Sequence, residues 1–397
     1  MEARLMANTP DQISWGKISF DAEADAGNAL LSSPRPGDDR HSGSLTEIIR
    51  DCAEAMTRLQ FRTWNFGDSV AFEALLELSE VTGDEQWARF AHGWGRAWAS
   101  RSLPFVRLDC TIPGAALVRI ARRYDDQILL EALIDVADYL RARRVIGGAF
   151  ETWLSSPLIE PYGVVDLAAD DAVLLANPPA GVFLDCLHFD PPFFAELGVA
   201  TNNRELFELG VTQAEAYVSL LQQEDGLFDH FVLEGATESF GPGWGRGQGW
   251  ALLGLLEVID CAEKSAFRGA VAQRIDLLRT SADELMAAMV RLQRDDGHWW
   301  AVVNRPESGD EYSTAGFMAH GFSKALKIGF KTAGLENSFA KAAEAVLLGL
   351  DSRGQLREVS AAVYASTVPE HYFHVPRGYV VPWGQGPALL ALLASAE

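Results

Sequence analysis

The chain has 397 residues, 48% of them hydrophobic, with 11 tryptophans and 21 phenylalanines, ample for a large buried core. Its formal net charge of −22 argues against nucleic acid or an anionic membrane surface as partner. No apolar run reaches membrane-spanning length, and the opening residues Met1 to Pro10 lack the apolar stretch of a signal peptide, so a cytoplasmic location is the expectation.

Helical periodicity dominates. Helical segments are expected to begin near Leu45, Asp68, Glu85, Pro113, Gln127, Val182, Arg204, Gln248, Phe267, Ser313, Asn337 and Gln385. Several turns share a small polar cluster followed by a new helix: Val81-Thr-Gly-Asp-Glu-Gln-Trp87, Tyr124-Asp-Asp-Gln-Ile128 and Thr201-Asn-Asn-Arg-Glu-Leu206. The first two recur one helix pair apart, as repeated helical hairpins would. The remaining connections, 144–181, 223–246, 294–311 and 354–384, are long. The helices after long loops carry small residues, such as Gly114-Ala-Ala, Gly247-Gln-Gly, Thr314-Ala-Gly and Gly384-Gln-Gly, which suit a crowded inner ring. The expected fold is all-α, an (α/α)6 toroid of six helical hairpins with the ligand cleft on the long-loop rim. Residues 1–43 read as a loosely ordered, loop-like extension and 44–397 as a single catalytic domain, which no Pro/Ser-rich linker divides into two.

The chemistry of the chain concentrates near the starts of the long-loop helices. Gly241-Pro-Gly-Trp-Gly-Arg-Gly-Gln-Gly-Trp250 runs from a glycine-rich loop into an apolar helix. Arg246 at that helix mouth could hold a small anion, and Trp244 and Trp250 have faces that could stack on sugar rings. The same glycines could equally serve tight helix packing. Asp185 stands early in an apolar, aromatic segment. Burial there would favour the protonated form that a general acid needs, while a helix-start acid is the plain alternative. Asp109, before another inner helix, could be the second carboxylate of a pair or an N-cap. His230 sits in a long loop as a sugar-hydroxyl partner or a surface histidine. Trp64 could floor a sugar site or pack in the core. Glu311 reads as a helix-start acid, and His298 has no catalytic assignment.

The four cysteines, Cys52, Cys110, Cys186 and Cys261, form no CxxC pair and read as free thiols. Zinc spacing, a phosphate loop, HExxH and GxSxG are all missing from the sequence. A cofactor-free acid–base enzyme without a metal fits best.

Four stretches resemble the unsaturated glucuronyl and rhamnogalacturonyl hydrolases of glycoside hydrolase families 88 and 105. They are Phe183-Leu-Asp-Cys-Leu-His-Phe-Asp-Pro-Pro-Phe-Phe-Ala195, Leu108-Asp-Cys-Thr-Ile-Pro-Gly114, Gly226-Leu-Phe-Asp-His230 and Trp244-Gly-Arg-Gly-Gln-Gly-Trp250. Phe183 and Phe189 replace the usual Trp and Met of the family's catalytic helix. His188 and Asp190 are unusual neighbours for the acid, and residues 150–180 are longer than that family suggests. The resemblance implies that Asp185 is the general acid and Asp109 the second aspartate. His230, Trp244, Arg246, Trp250 and Trp64 would bind an acidic oligosaccharide, with Arg305 and Arg377 as further candidates for the carboxylate. It implies removal of a terminal 4,5-unsaturated uronic acid by proton delivery at C4 and hydration of the double bond, by a monomer or homodimer. A conventional inverting uronidase, a sugar epimerase on the same toroid and a non-catalytic sugar-binding scaffold are the alternative readings.

Overall fold

The computed structural model describes residues 36–59, 61, 67–100, 113–152, 167–363 and 365–396. Twelve long helices make up its body: α1 Leu45–Thr57, α2 Asp68–Thr82, α3 Glu85–Ala99, α4 Gly114–Arg123, α5 Gln127–Arg141, α7 Cys186–Ala200, α8 Arg204–Leu221, α9 Gly245–Lys264, α10 Arg268–Leu292, α11 Ser313–Lys327, α12 Leu335–Gly349 and α13 Pro382–Ala396. A shorter helix, α6 Ala169–Ala176, lies in the long connection between α5 and α7.

The contacts close a ring. Helices α2, α4, α7, α9, α11 and α13 each pack on the next, and α13 packs back on α2. The outer helices α3, α5, α8, α10 and α12 each pack on the inner helix they follow, and α1 packs on α13. The sixth hairpin is therefore assembled from the two ends of this helical array. This is the (α/α)6 toroid expected from the loop alternation.

The short turns work by capping. The side chains of Asp84, Asp126 and Asn203 accept from Gln86, Leu129 and Glu205 N–H at 3.0, 3.1 and 3.0 Å. Each satisfies a helix-start donor that would otherwise face water. The inner helices are buried along most of their length, α9 and α13 almost all round. Small residues permit that crowding. A Cβ added to Gly254 of α9 would run into the carbonyl of Leu187 on α7. Pro191 and Pro192 inside α7 carry no N–H, so the carbonyls of Leu187 and His188 lack their usual helical donors, and that of Leu187 faces α9.

The long loops hold structure that periodicity did not indicate. Three antiparallel pairs form: β1 Val145–Ile146 with β2 Ala149–Phe150, β3 Gly181–Phe183 with β4 Phe231–Leu233, and β5 Trp300–Val302 with β6 Arg305–Asp310. A small satellite core of Leu175, Phe183, Phe231, Leu233 and Ala365 fixes α6 against the β3–β4 pair. Thr367 adds a 2.6 Å hydrogen bond to Asp171 of α6. Residues 36–43 also have partners, since Gly37 N–H donates to Asp351 at 2.7 Å and His41 Nε2 lies 3.0 Å from Asp51.

Farther from the long-loop rim, charges fill the bore. Arg119 of α4 pairs with Glu196 of α7 at 3.0 Å and with Glu257 of α9, which also receives Lys324 of α11. Burial works against the Glu257 carboxylate, but Arg119 and Lys324 outweigh it and hold its pKa far below the usual range. Cys52, Cys186 and Cys261 are free and buried, and Cys110 lies outside the described residues. Among the described residues no helix is long and apolar enough to cross a membrane.

Candidate active site

The β3–β4 pair builds the centre of the rim. Phe183 pairs with Phe231, and one step further Leu184 N–H donates to the His230 carbonyl at 2.8 Å. The chain then leaves β3 into α7 through Asp185, while His230 leads into β4. Asp185 Oδ2 and His230 Nε2 consequently lie 3.3 Å apart. Asp185 stands at the N-cap of α7 with helical backbone angles and makes no capping hydrogen bond. Its carboxylate is not consumed by the helix start, and its side chain keeps 14% exposure against 4% for His230.

The loop carrying His230 is pinned from α9. Gln248 accepts from Phe228 N–H at 2.8 Å and donates to the Phe228 carbonyl at 2.8 Å. The Gln385 amide does the same work for the loop before α13, accepting from Leu356 N–H at 2.7 Å and donating to the Gly354 carbonyl at 2.9 Å. The repeated Gly-Gln-Gly is thus a device for satisfying buried loop backbone.

On its other side His230 meets an aromatic wall. Its ring centroid is 4.5 Å from that of Trp244, and Nδ1 is 2.7 Å from the hydroxyl of Tyr372. Tyr372 belongs to the 3₁₀ turn Pro369–His374 in the loop between α12 and α13. Burial holds its phenol well above the usual pKa, opposed by a backbone hydrogen bond from Ser366. Asp229, next in chain to His230, is also pushed up by burial, against a hydrogen bond from Ser239.

Arg246 requires correction as a ligand-binding residue. Its guanidinium is buried; Nη1 donates to Glu311 at 3.2 Å and to Ser360 at 2.7 Å, and Nη2 donates to the Ala361 carbonyl at 3.1 Å. It also lies over the Trp244 ring, 5.0 Å from the centroid. Burial lowers its pKa, with Glu311 and Asp185 opposing. Three of the five guanidinium N–H groups are thus committed internally, and Nε is buried without a partner. Glu311 is in turn the helix-start acid of α11, accepting from Ser313 and Thr314. The Arg246–Glu311 pair therefore ties the starts of α9 and α11 together.

Trp250 is also corrected. It is fully buried, and its ring meets those of His188, Phe189 and Phe317 at 5.2, 5.5 and 4.6 Å. It is a core residue with no face open to a sugar. Trp244 is 5% exposed, since His230 and Arg246 cover its ring, so little of it is left to a ligand. The two unusual neighbours of Asp185 face inward as well. Asp190 pairs with Arg143 at 2.5 Å, and His188 Nε2 lies 3.3 Å from Glu73. Arg377 donates to the Ser308 carbonyl, whereas Arg305 is exposed on the β5–β6 turn. Asp109 and Trp64 lie outside the described residues. Among the described residues no group of His, Cys, Asp and Glu has the arrangement to hold a metal ion.

Tyr372, Glu311 and Ser360 complete the site, and periodicity gives no sign of Tyr372. The nearest signal is the density of ring side chains in Pro369-Glu-His-Tyr-Phe-His374.

Acid–base work on a sugar needs a carboxylate that the scaffold has not spent, and Asp185 at the rim makes no capping hydrogen bond; the closed helical ring is the architecture of the toroidal glycoside hydrolases. It belongs to Glycosyl Hydrolase Family 88, which matches residues 46–396. The chain is 23% identical over 352 residues to the unsaturated rhamnogalacturonyl hydrolase YesR of Bacillus subtilis, a match spanning 88% of this chain and 94% of that protein. A possible member of the GH105 family from Salmonella enterica serovar Paratyphi A superposes with a TM-score of 0.74 at 17% identity, covering 90% of this chain and 96% of the other. The unsaturated glucuronyl hydrolase of Bacillus sp. GL1, responsible for the degradation of glycosaminoglycan, gives 0.64 at 18% identity over 88% and 96%. At these identities the two solved structures establish the shared toroid.

Proposed function

We propose that the protein removes a terminal 4,5-unsaturated uronic acid from an acidic oligosaccharide of the kind polysaccharide lyases leave behind. The observation that carries this reading is the uncapped carboxylate of Asp185 beside the His230 imidazole. Family membership and the activities named for the two hydrolases above support it. In this reading Asp185 gives its proton to C4 of the enol ether. Positive charge develops toward C5 and the ring oxygen, and water attacks C5 as the carboxylate of Asp185 takes the water proton. The resulting hemiketal opens and releases the aglycone, so no redox step or cofactor is needed. Asp109, which precedes α4 in the sequence, orients the sugar, and His230 and the Trp244 edge contact it, with Trp64 as a further binding residue.

The net charge of −22 repels an acidic sugar at long range, so capture must be local. The inner helices α7, α9, α11 and α13 follow long loops and point their N-termini at the rim, where the dipoles favour an anion. With Arg246 occupied internally, exposed Arg305 is the better candidate for a direct carboxylate contact.

The test is a panel of lyase-generated unsaturated disaccharides and their saturated counterparts. Loss of the ultraviolet absorbance of the conjugated double bond, with release of the aglycone, is expected. Cleavage of saturated uronides with no loss of that absorbance would establish a conventional uronidase instead.

A further inference from the structure

We propose that Tyr372 is a positioning residue: its O–H donates to Nδ1 of His230, fixing the imidazole as the Nε2–H tautomer, with that nitrogen 3.3 Å from Asp185. The kinetic part rests on the reading of Asp185 as the acid; the tautomer assignment does not.

A 2.7 Å contact between His230 Nδ1 and the Tyr372 hydroxyl is compatible with either donor. The rest of the hydroxyl's environment decides. The Tyr372 side chain is 3% exposed, and among the described residues its hydroxyl has no acceptor other than His230 Nδ1. A phenol carries one proton to donate. If Nδ1 held the imidazole proton, the oxygen would accept it and its own buried O–H would lack an acceptor among the described residues. Donation to Nδ1 satisfies both groups, and an unsatisfied buried donor is what folded proteins avoid.

The imidazole proton then belongs on Nε2, which lies 3.3 Å from Asp185 Oδ2. This N–H supports the carboxylate once the proton has left, and it is available to a sugar hydroxyl. The opposite tautomer would present a lone pair there and compete for the proton that Asp185 must deliver. The backbone enforces the arrangement. Gly241 has φ +73, and a Cβ on it would collide with the Tyr372 hydroxyl and come within 2.7 Å of His230 Cβ. The glycine at the head of the Gly-rich motif thus makes room for this hydrogen bond.

The experiment is nitrogen NMR of the full chain labelled at histidine, with His230→Gln used to assign the resonances. For the unmodified protein we expect His230 to show a protonated Nε2 and a bare Nδ1. In Tyr372→Phe, whose backbone spectrum reports whether it is folded, that pattern should give way to Nδ1–H or to a mixture. The variant's kcat on an unsaturated uronide should fall about fivefold to tenfold with little change in KM, the size of one lost hydrogen bond. A protonated Nδ1 in the unmodified protein, or an unchanged His230 pattern in a folded Tyr372→Phe, overturns the proposal. If the unmodified protein leaves unsaturated uronides intact, the functional reading fails, while the tautomer still stands or falls on the spectra.

Discussion

The N–H of Leu184 donates to the carbonyl of His230 at 2.8 Å, and through that one bond the ends of two distant segments become neighbours. It extends the β3–β4 ladder by a step, so Asp185 and His230 leave the pair side by side. The toroid supplies the rim, but this short ribbon determines which side chains meet there.

The first prediction concerns Asp185. It makes no capping hydrogen bond, so Asp185→Asn should leave stability within about 0.5 kcal/mol of the parent. Activity should fall by roughly 10²–10⁴, the contribution of a positioned general acid. Denaturant titration and the absorbance assay measure the two effects; near-full activity would remove Asp185 from the mechanism.

Arg246 is expected to act on the fold. Arg246→Met leaves the buried Glu311 carboxylate without its counter-charge and the Ser360 hydroxyl without the Arg246 donor, and loss of one partner of such a pair costs about 3–5 kcal/mol. Arg246→Lys should rescue little, because an ammonium cannot reproduce the fork to Ser360 and Ala361. Guanidinium unfolding curves check this. A folded Arg246→Met of parental stability with a raised KM would return the residue to the ligand.

Gly241→Ala tests the backbone beneath the Tyr372–His230 hydrogen bond. The positive φ alone disfavours a side chain, and the new Cβ meets the hydroxyl. A loss of about 1–3 kcal/mol is expected, with a drop in kcat like that of Tyr372→Phe. A stable Gly241→Ala with parental kinetics would show that the phenol can shift without consequence.

Acid should destabilise the protein in a defined window. Burial depresses the pKa of His298 and His320 to about 4, so the folded state keeps both neutral. Below the unfolded value near 6.5 the denatured chain takes up protons that the native chain refuses. Stability is therefore full above about pH 6.5 and declines toward pH 4, by of order 3 kcal/mol for each histidine. Glu257, held low by Arg119 and Lys324, continues the decline in the same direction below its ordinary carboxylate range. Melting temperatures at stepped pH would reveal the slope, and His320→Gln should flatten part of it.

The sequence by itself determined the ring. Periodicity located the twelve helices, Asp84, Asp126 and Asn203 in the short turns capped three of the outer ones, and the alternation of short and long loops identified the rim. These signals are local: a cap, a turn and an apolar face each arise from residues within a few positions of one another. The sequence also marked Asp185 and His230, because both stand where an apolar run meets a loop. Only the tertiary structure decided which motif residues are buried in the core and which stand at the rim. Arg246 and Trp250 share a conspicuous motif with Trp244, yet a single turn of α9 directs one guanidinium to Glu311 and buries one indole against Phe317. Tyr372 reaches His230 across 142 residues of chain, through contacts that no spacing encodes. Long-range partners depend on how whole helices close around the ring, and that closure is a property of packing.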